Sequence, residues 1–229
     1  GYEIVPFTQK ADVYVINTCS VTNMADRKSR QMLHKAKKNN PDSIVVAAGC
    51  YVQTSEKEVL NDLSVDIVIG NDRKHDLVRL LEEYSLDSVN DTVDDINDGK
   101  HDFEELFIDQ TKEHTRAFIK VQDGCDYKCA YCTIHYARGG SRNMPVADLV
   151  AEARRIAAAG QKEIVLTGVN TGDFGRTTGE KFIDLLRALD GVDGIERYRI
   201  SSIEPNLLTD EIIAFCAASP KFQHHFHIP

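Results

Sequence analysis

The run from Gly124 to Gly140, GCDYKCAYCTIHYARGG, sets Cys125, Cys129 and Cys132 at the spacing C-x-x-x-C-x-x-C. The apolar stretch Arg116 to Val121 (RAFIKV) precedes it and reads as a strand. Val146 to Ala159 (VADLVAEARRIAAA) follows as a helical run, with Pro145 near its start and Gly160 as its stop. A cysteine loop between the first strand and first helix of a βα series belongs at the C-terminal mouth of a barrel, where such folds keep their active sites. Three thiolates ligate three of the four irons of a cubic iron–sulfur cluster and leave one iron open. With His135, three residues beyond Cys132, the same cysteines also make a tetrahedral Cys3His zinc site, and spacing alone does not separate the two metals. Zinc modules are usually small and free-standing; this loop is embedded in a βα series, and that context favours iron.

Working outward, the alternation continues. Glu163 to Thr167 reads as a strand, Phe182 to Leu189 as a helix, Tyr198 to Ser201 as a strand, Thr209 to Ala218 as a helix and Gln223 to Ile228 as a last strand. That is four βα steps, a partial barrel. Gly168, Gly172 and Gly175 do not spell G-x-G-x-x-G, so NTGDFGRTTG (Asn170 to Gly179) is expected to be a flexible loop and not a dinucleotide fingerprint. On the N-terminal side, Asp12 to Asn17, Ser43 to Ala48 and Asp66 to Ile69 read as buried strands. They alternate with helices over Thr22 to Asn40, Ser55 to Leu63 and Asp72 to Tyr84, the pattern of a parallel α/β sheet. From Ser85 the apolar pattern fades into an acidic stretch that reads as a linker or mobile loop. The expected organisation is therefore α/β throughout: a parallel-sheet domain at 1–84, an acidic linker at 85–114 and a partial barrel at 115–229.

At 229 residues and 42% hydrophobic, the chain can bury one large or two modest cores, and it has no run of eighteen apolar residues to span a membrane. Six cysteines are too sparse for a disulfide scaffold, and their clustering points to ligands kept reduced in a cytoplasm. A net charge of −9 argues against nucleic-acid binding by this segment alone. The opening GYEIVP and closing FHIP both look cut, as expected of part of a longer protein.

Cys19 and Cys50 lie just past the first two strands, which places both thiols on the carboxyl edge of one parallel sheet, where open α/β folds bind ligands. Two thiolates cannot hold a cube, so a third ligand is expected from elsewhere. Asn170, Ser202 and Glu204 stand at strand ends that face the barrel mouth and are candidates to bind a cofactor or base; turn and salt-bridge roles are the alternatives. Strand alternation puts His225 and His227 on one face, in packing or surface roles. Cys216 reads as a small buried hydrophobe. The basic residues of the first helix, Arg27 to Lys38, read as a solvated face more readily than as an RNA patch.

Together, NTC-x-V-T, A-x-GC-Y, KVQDGC-x-x-x-C-x-YC, ARG-x-SR, LTGVNTGDFG, RISSIEP and the terminal HIP resemble the radical-SAM methylthiotransferase family over nearly the whole chain except the acidic stretch. The resemblance implies two 4Fe–4S clusters and S-adenosylmethionine (SAM), with an electron donor such as flavodoxin or ferredoxin. Cys125, Cys129 and Cys132, with Tyr131 before the last, would hold the SAM-binding cluster. Cys19 and Cys50 would be two of three ligands of an auxiliary cluster, the third lying before Gly1. His135 departs from the family, which usually has proline there. KVQDGC and the short ARG-x-SR link resemble the branch acting on threonylcarbamoyl-adenosine at position 37 of tRNA. That implies a tRNA anticodon stem-loop as partner, met by Arg138 and Arg142 unless these pair with carboxylates, and a cytoplasmic enzyme without membrane contact. The isopentenyladenosine and ribosomal-protein branches stay open as alternatives, as does a non-catalytic metal-binding module for RNA or ribosome.

Overall fold

Two parallel sheets, each built by strand–helix alternation, carry the chain. The structure, a computed structural model, describes residues 1–84, 90–94, 96, 103 and 116–229. They fall into two compact units, Gly1–His101 with Lys128–Gly139, and Asp102–Tyr127 with Gly140–Pro229.

In the first unit β1 (Val13–Thr18), β2 (Ile44–Gly49), β3 (Ile67–Ile69) and β4 (Asn90–Thr92) form one parallel sheet in that order. β1 is an edge strand and alternates, burying Tyr14, Ile16 and Thr18, whereas β2 and β3 are apolar on both faces and almost wholly buried. Helix α1 (Asn23–Asn39) covers one face through Ser29, Leu33 and Ala36, one stripe at helical spacing, and starts where Thr22 Oγ1 accepts the Ala25 N–H at 3.1 Å. The register pairs Thr18 with Gly49, so Cys19 and Cys50 each follow one member of the last residue pair of β1 and β2. Gly49 makes this junction possible: its φ is +101°, and a Cβ would stand 2.6 Å from the Thr18 carbonyl oxygen.

Several elements differ from expectation. The helix expected over Ser55 to Leu63 begins at Cys50 and breaks at Ser55 into α2 (Cys50–Thr54) and α3 (Glu56–Leu60). The next helix runs only from Leu77 to Glu83 as α4, after a 3₁₀ turn. The acidic stretch is not wholly a linker: β4 lies within it, Val93 packs on the first core and Ile96 is buried. Main-chain pairing with β3 needs no apolar side chains, which is why the pattern failed to show it. The remainder of 85–114, apart from Asp94 and Phe103, lies outside the described residues.

In the second unit β5 (Ala117–Lys120), β8 (Glu163–Thr167) and β9 (Arg197–Ile200) pair in parallel with β8 central. Helices α6 (Val146–Ala158), α7 (Phe182–Asp190) and α8 (Asp210–Ala218) pack on them through Leu149, Ala153, Leu185, Leu189 and Cys216, among others. Burial pushes the Cys216 thiol up to about 11, as suits a structural cysteine. Among the described residues there are three regular βα steps and not four. Phe222 and His227 bridge to Tyr198 and Ser202, but between them the chain turns, with the His225 N–H on the Gln223 carbonyl, so no continuous strand forms over Gln223 to Ile228. The two-residue strands β6 (Gln122–Asp123) and β7 (Arg142–Asn143) pair antiparallel at the base of the cysteine loop, and α5 (Ile134–Arg138) lies within that loop.

Candidate metal and cofactor site

At the carboxyl edge of the first sheet, Cys19 is exposed and Cys50 buried. Ser29 fixes the Cys19 backbone: the Cys19 N–H donates to its Oγ at 3.2 Å, and that hydroxyl donates back to the Cys19 carbonyl at 3.3 Å. Asn71 donates from Nδ2 to Cys50 Sγ at 3.3 Å and to the Ala137 carbonyl at 2.7 Å. Residues 128–139 belong to this unit, so Cys129 and Cys132 lie in the same compact body as Cys19 and Cys50. The Cys132 N–H donates to the Cys129 carbonyl at 3.0 Å, closing a turn between the two thiols, and Thr133 Oγ1 reaches the Ser20 carbonyl at 3.4 Å. Tyr131, between them, is 92% exposed. Buried Tyr51, next to Cys50, has its hydroxyl pushed up by burial, and it receives Arg30 and donates to Glu58. Lys37 of the basic helix pairs with Asp66 at 2.7 Å, so part of that basic face serves the fold.

In the second unit the carboxyl ends of β5, β8 and β9 are joined by buried side chains. Gln122, fully buried, accepts the Val169 and Asn170 N–H groups on Oε1 at 3.0 and 2.9 Å. Its Nε2 donates to the Gly124 carbonyl at 2.7 Å, Ser141 Oγ at 2.9 Å and the Asp123 carbonyl at 3.1 Å. Cys125 follows this clamp and is half-buried. Asn143 Oδ1 accepts from Gly175 N–H and Thr177 Oγ, both at 3.0 Å. Thr171, Asp173 and Phe174 are buried. The loop expected to be flexible is therefore pinned, by side chains far away in sequence.

Asn170 is 3% exposed; its Oδ1 accepts the Glu204 N–H at 3.2 Å, while its Nδ2 has no hydrogen-bond partner among the described residues. Ser202 exchanges a hydrogen bond with His227 Nδ1 at 2.8 Å, and its carbonyl receives Thr171. Asn170, just past β8, and Ser202 and Glu204, just past β9, thus stand at the carboxyl ends of two paired strands. Arg142 is buried, 3.6 Å from Asp123 and bonded to the Gly140 carbonyl, which is the pairing role and not an exposed one. Sequence reading missed Gln122, Asn143 and Asn71. Gln122 was visible only as a letter of KVQDGC, and Asn71 resembled an ordinary turn residue.

In the first unit the donors fit iron–sulfur chemistry, since thiols are its ligands and one carries an aimed N–H. In the second unit, the buried Asn170 amide donor, without a partner among the described residues, suits an acceptor group of a small molecule. Among the described residues no three His, Cys, Asp or Glu side chains are already gathered into a set that could hold a metal ion. No helix among them is long and apolar enough to cross a membrane.

Residues 1–70 match the family described as "Uncharacterized protein family UPF0004", and residues 119–229 match the radical SAM superfamily. The chain is 41% identical to the threonylcarbamoyladenosine tRNA methylthiotransferase MtaB of Bacillus subtilis (strain 168), covering 100% of this chain and 51% of that protein. Identity is 39% to MtaB of Aquifex aeolicus, covering 100% of this chain and 56% of that one. It is 33% to a tRNA-2-methylthio-N(6)-dimethylallyladenosine synthase of a Sulfurihydrogenibium species, with coverage of 100% and 54%. The chain thus spans about half the length of the curated relatives it matches. In fold it is similar to the radical S-adenosylmethionine methyltransferase TsrM of Kitasatospora setae, with a TM-score of 0.64 at 14% identity, over 96% of this chain and 48% of that one.

Proposed function

Because residues 119–229 of this chain match the radical SAM superfamily and residues 1–70 match UPF0004 ahead of that domain, we propose that its protein is a tRNA methylthiotransferase acting on C2 of N6-threonylcarbamoyladenosine at position 37. The observation that carries this reading is the similarity of both units, end to end, to relatives bearing that activity in their names. The dimethylallyladenosine synthase relative is less similar, 33% against 41%.

In this reading residues 1–84 form the domain of an auxiliary 4Fe–4S cluster, with Cys19 and Cys50 as two of its ligands. Residues 115–229 form the SAM barrel, and Cys125, Cys129 and Cys132 hold the cluster that leaves one iron for SAM. Bound there, these groups supply one-electron cleavage of SAM and a radical able to take hydrogen from an unactivated aromatic carbon. The chain's own residues do the positioning. Gln122 fixes the start of the cysteine loop to the end of β8, and Asn170 offers its unpartnered Nδ2 to a carboxylate or hydroxyl. Ser202, Glu204 and Tyr131 are the further candidates to bind the cofactor. The tRNA anticodon stem-loop, a small electron-donor protein and a cytoplasmic setting complete the reading. A segment charge of −9 leaves the main phosphate attraction to the rest of the protein.

Anaerobic iron and sulfide analysis, followed by nucleoside analysis of tRNA from a deletion strain, tests it. The expected result is loss of the methylthio group from the threonylcarbamoyl nucleoside. Loss from the isopentenyl nucleoside alone assigns the sister activity, and zinc in place of iron and sulfide defeats the enzyme reading.

A further inference from the structure

Asn71 follows β3 by two residues and is 9% exposed. Its backbone N–H donates to Gln53 Oε1 at 3.1 Å, and Gln53 lies on α2, the helix that begins at Cys50. Asn71 is thereby fixed relative to Cys50 by the chain that carries Cys50. The Ala137 carbonyl can only accept, so the amide must present its NH2 and not its oxygen to it, at 2.7 Å. An NH2 has two hydrogens, and the second is left for Cys50 Sγ at 3.3 Å. One amide therefore joins a buried thiol to α5, the helix that follows Cys132.

We propose that Asn71 is a positioning residue for the cluster ligated by Cys50, holding α5 against that ligand and raising the cluster's reduction potential by an N–H···S hydrogen bond. The proposal rests on the iron–sulfur reading above. The added electron of a reduced cluster resides largely on iron and sulfur, and a donor aimed at a ligand sulfur stabilises that extra charge. A neutral amide does this without competing for the metal.

The experiment uses the whole protein carrying this chain, with Cys125, Cys129 and Cys132 replaced by alanine so that only the Cys50 cluster is read. Asn71→Asp keeps the shape and removes both donors; Asn71→Leu removes them without adding charge. Iron and sulfide per chain, midpoint potential and amide exchange of residues 134–138 and of α1 are measured. The expected result is a retained cluster, a midpoint moved to more negative values in both variants and further in Asn71→Asp, and exchange of 134–138 at least tenfold faster. Iron lost while α1 stays protected also supports the positioning role. An unchanged potential with iron retained overturns it. So does loss of iron together with α1 protection, which makes Asn71 a scaffold residue. A parent protein without a cluster defeats the functional reading itself, and this is decided before any Asn71 variant is made.

Discussion

Replacing Gln122 by methionine removes a buried polar clamp while conserving side-chain length and volume. Five contacts disappear, two accepted on Oε1 and three donated by Nε2. The Ser141 hydroxyl can rotate to another partner, Val169 is half-buried, and the Asp123 carbonyl has the longest of the three Nε2 contacts, so none of these counts in full. The Asn170 N–H and the Gly124 carbonyl are buried and lose a partner outright. At about 1–3 kcal/mol for each buried group left unsatisfied, the expected loss is about 3 kcal/mol, since methionine leaves no cavity to add to it. For a chain of this size that corresponds to a fall in Tm of roughly 6–12 °C. The assay is thermal unfolding of Gln122→Met beside the parent, with amide exchange at Val169 and Asn170. Both amides should lose protection while α6 and α7 keep theirs. A loss under about 1 kcal/mol with both amides still protected would refute the reasoning, because it would mean that Gln122 is not what satisfies them.

Three further outcomes are expected. Gly49→Ala should destabilise the first unit by about 3 kcal/mol, read as a shifted urea midpoint, because φ of +101° with ψ of −159° is a region essentially reserved to glycine and the new Cβ meets the Thr18 carbonyl. Thr22→Ala should cost about 1 kcal/mol by removing the cap on Ala25 N–H, with fraying confined to the first turn of α1 in amide exchange. Glu163 is held below its usual 4.5, first by the hydrogen bond from Arg199, with Arg197 and Arg116 adding charge. A depressed carboxyl contributes stability above its unfolded value and loses it as pH falls through the folded one. Glu163→Gln should therefore be about 1 kcal/mol less stable than the parent at pH 7, and the gap should close below pH 4.5 in acid unfolding curves.

What the sequence determined by itself is local and repetitive. Apolar runs such as IVVAAG and EIVLT specify buried parallel strands, Thr22 and Pro145 mark helix starts, and the register of β1 on β2 follows from two matching strands that bring Cys19 and Cys50 to one edge. Cysteine spacing is likewise a chain property, so the candidate ligands could be named before any fold. Tertiary structure decided whatever depends on partners remote in sequence. Gln122 meets residues 47 and 48 positions away, and Asn71 meets a carbonyl 66 positions away. β4 joins its sheet by main-chain bonds that any side chain permits, and the turn at His225 interrupts a run whose composition favours a strand. A buried amide has no periodicity to betray it. Its role comes only from which donors and acceptors the folded chain leaves without water, and that is fixed when the sheets close over them.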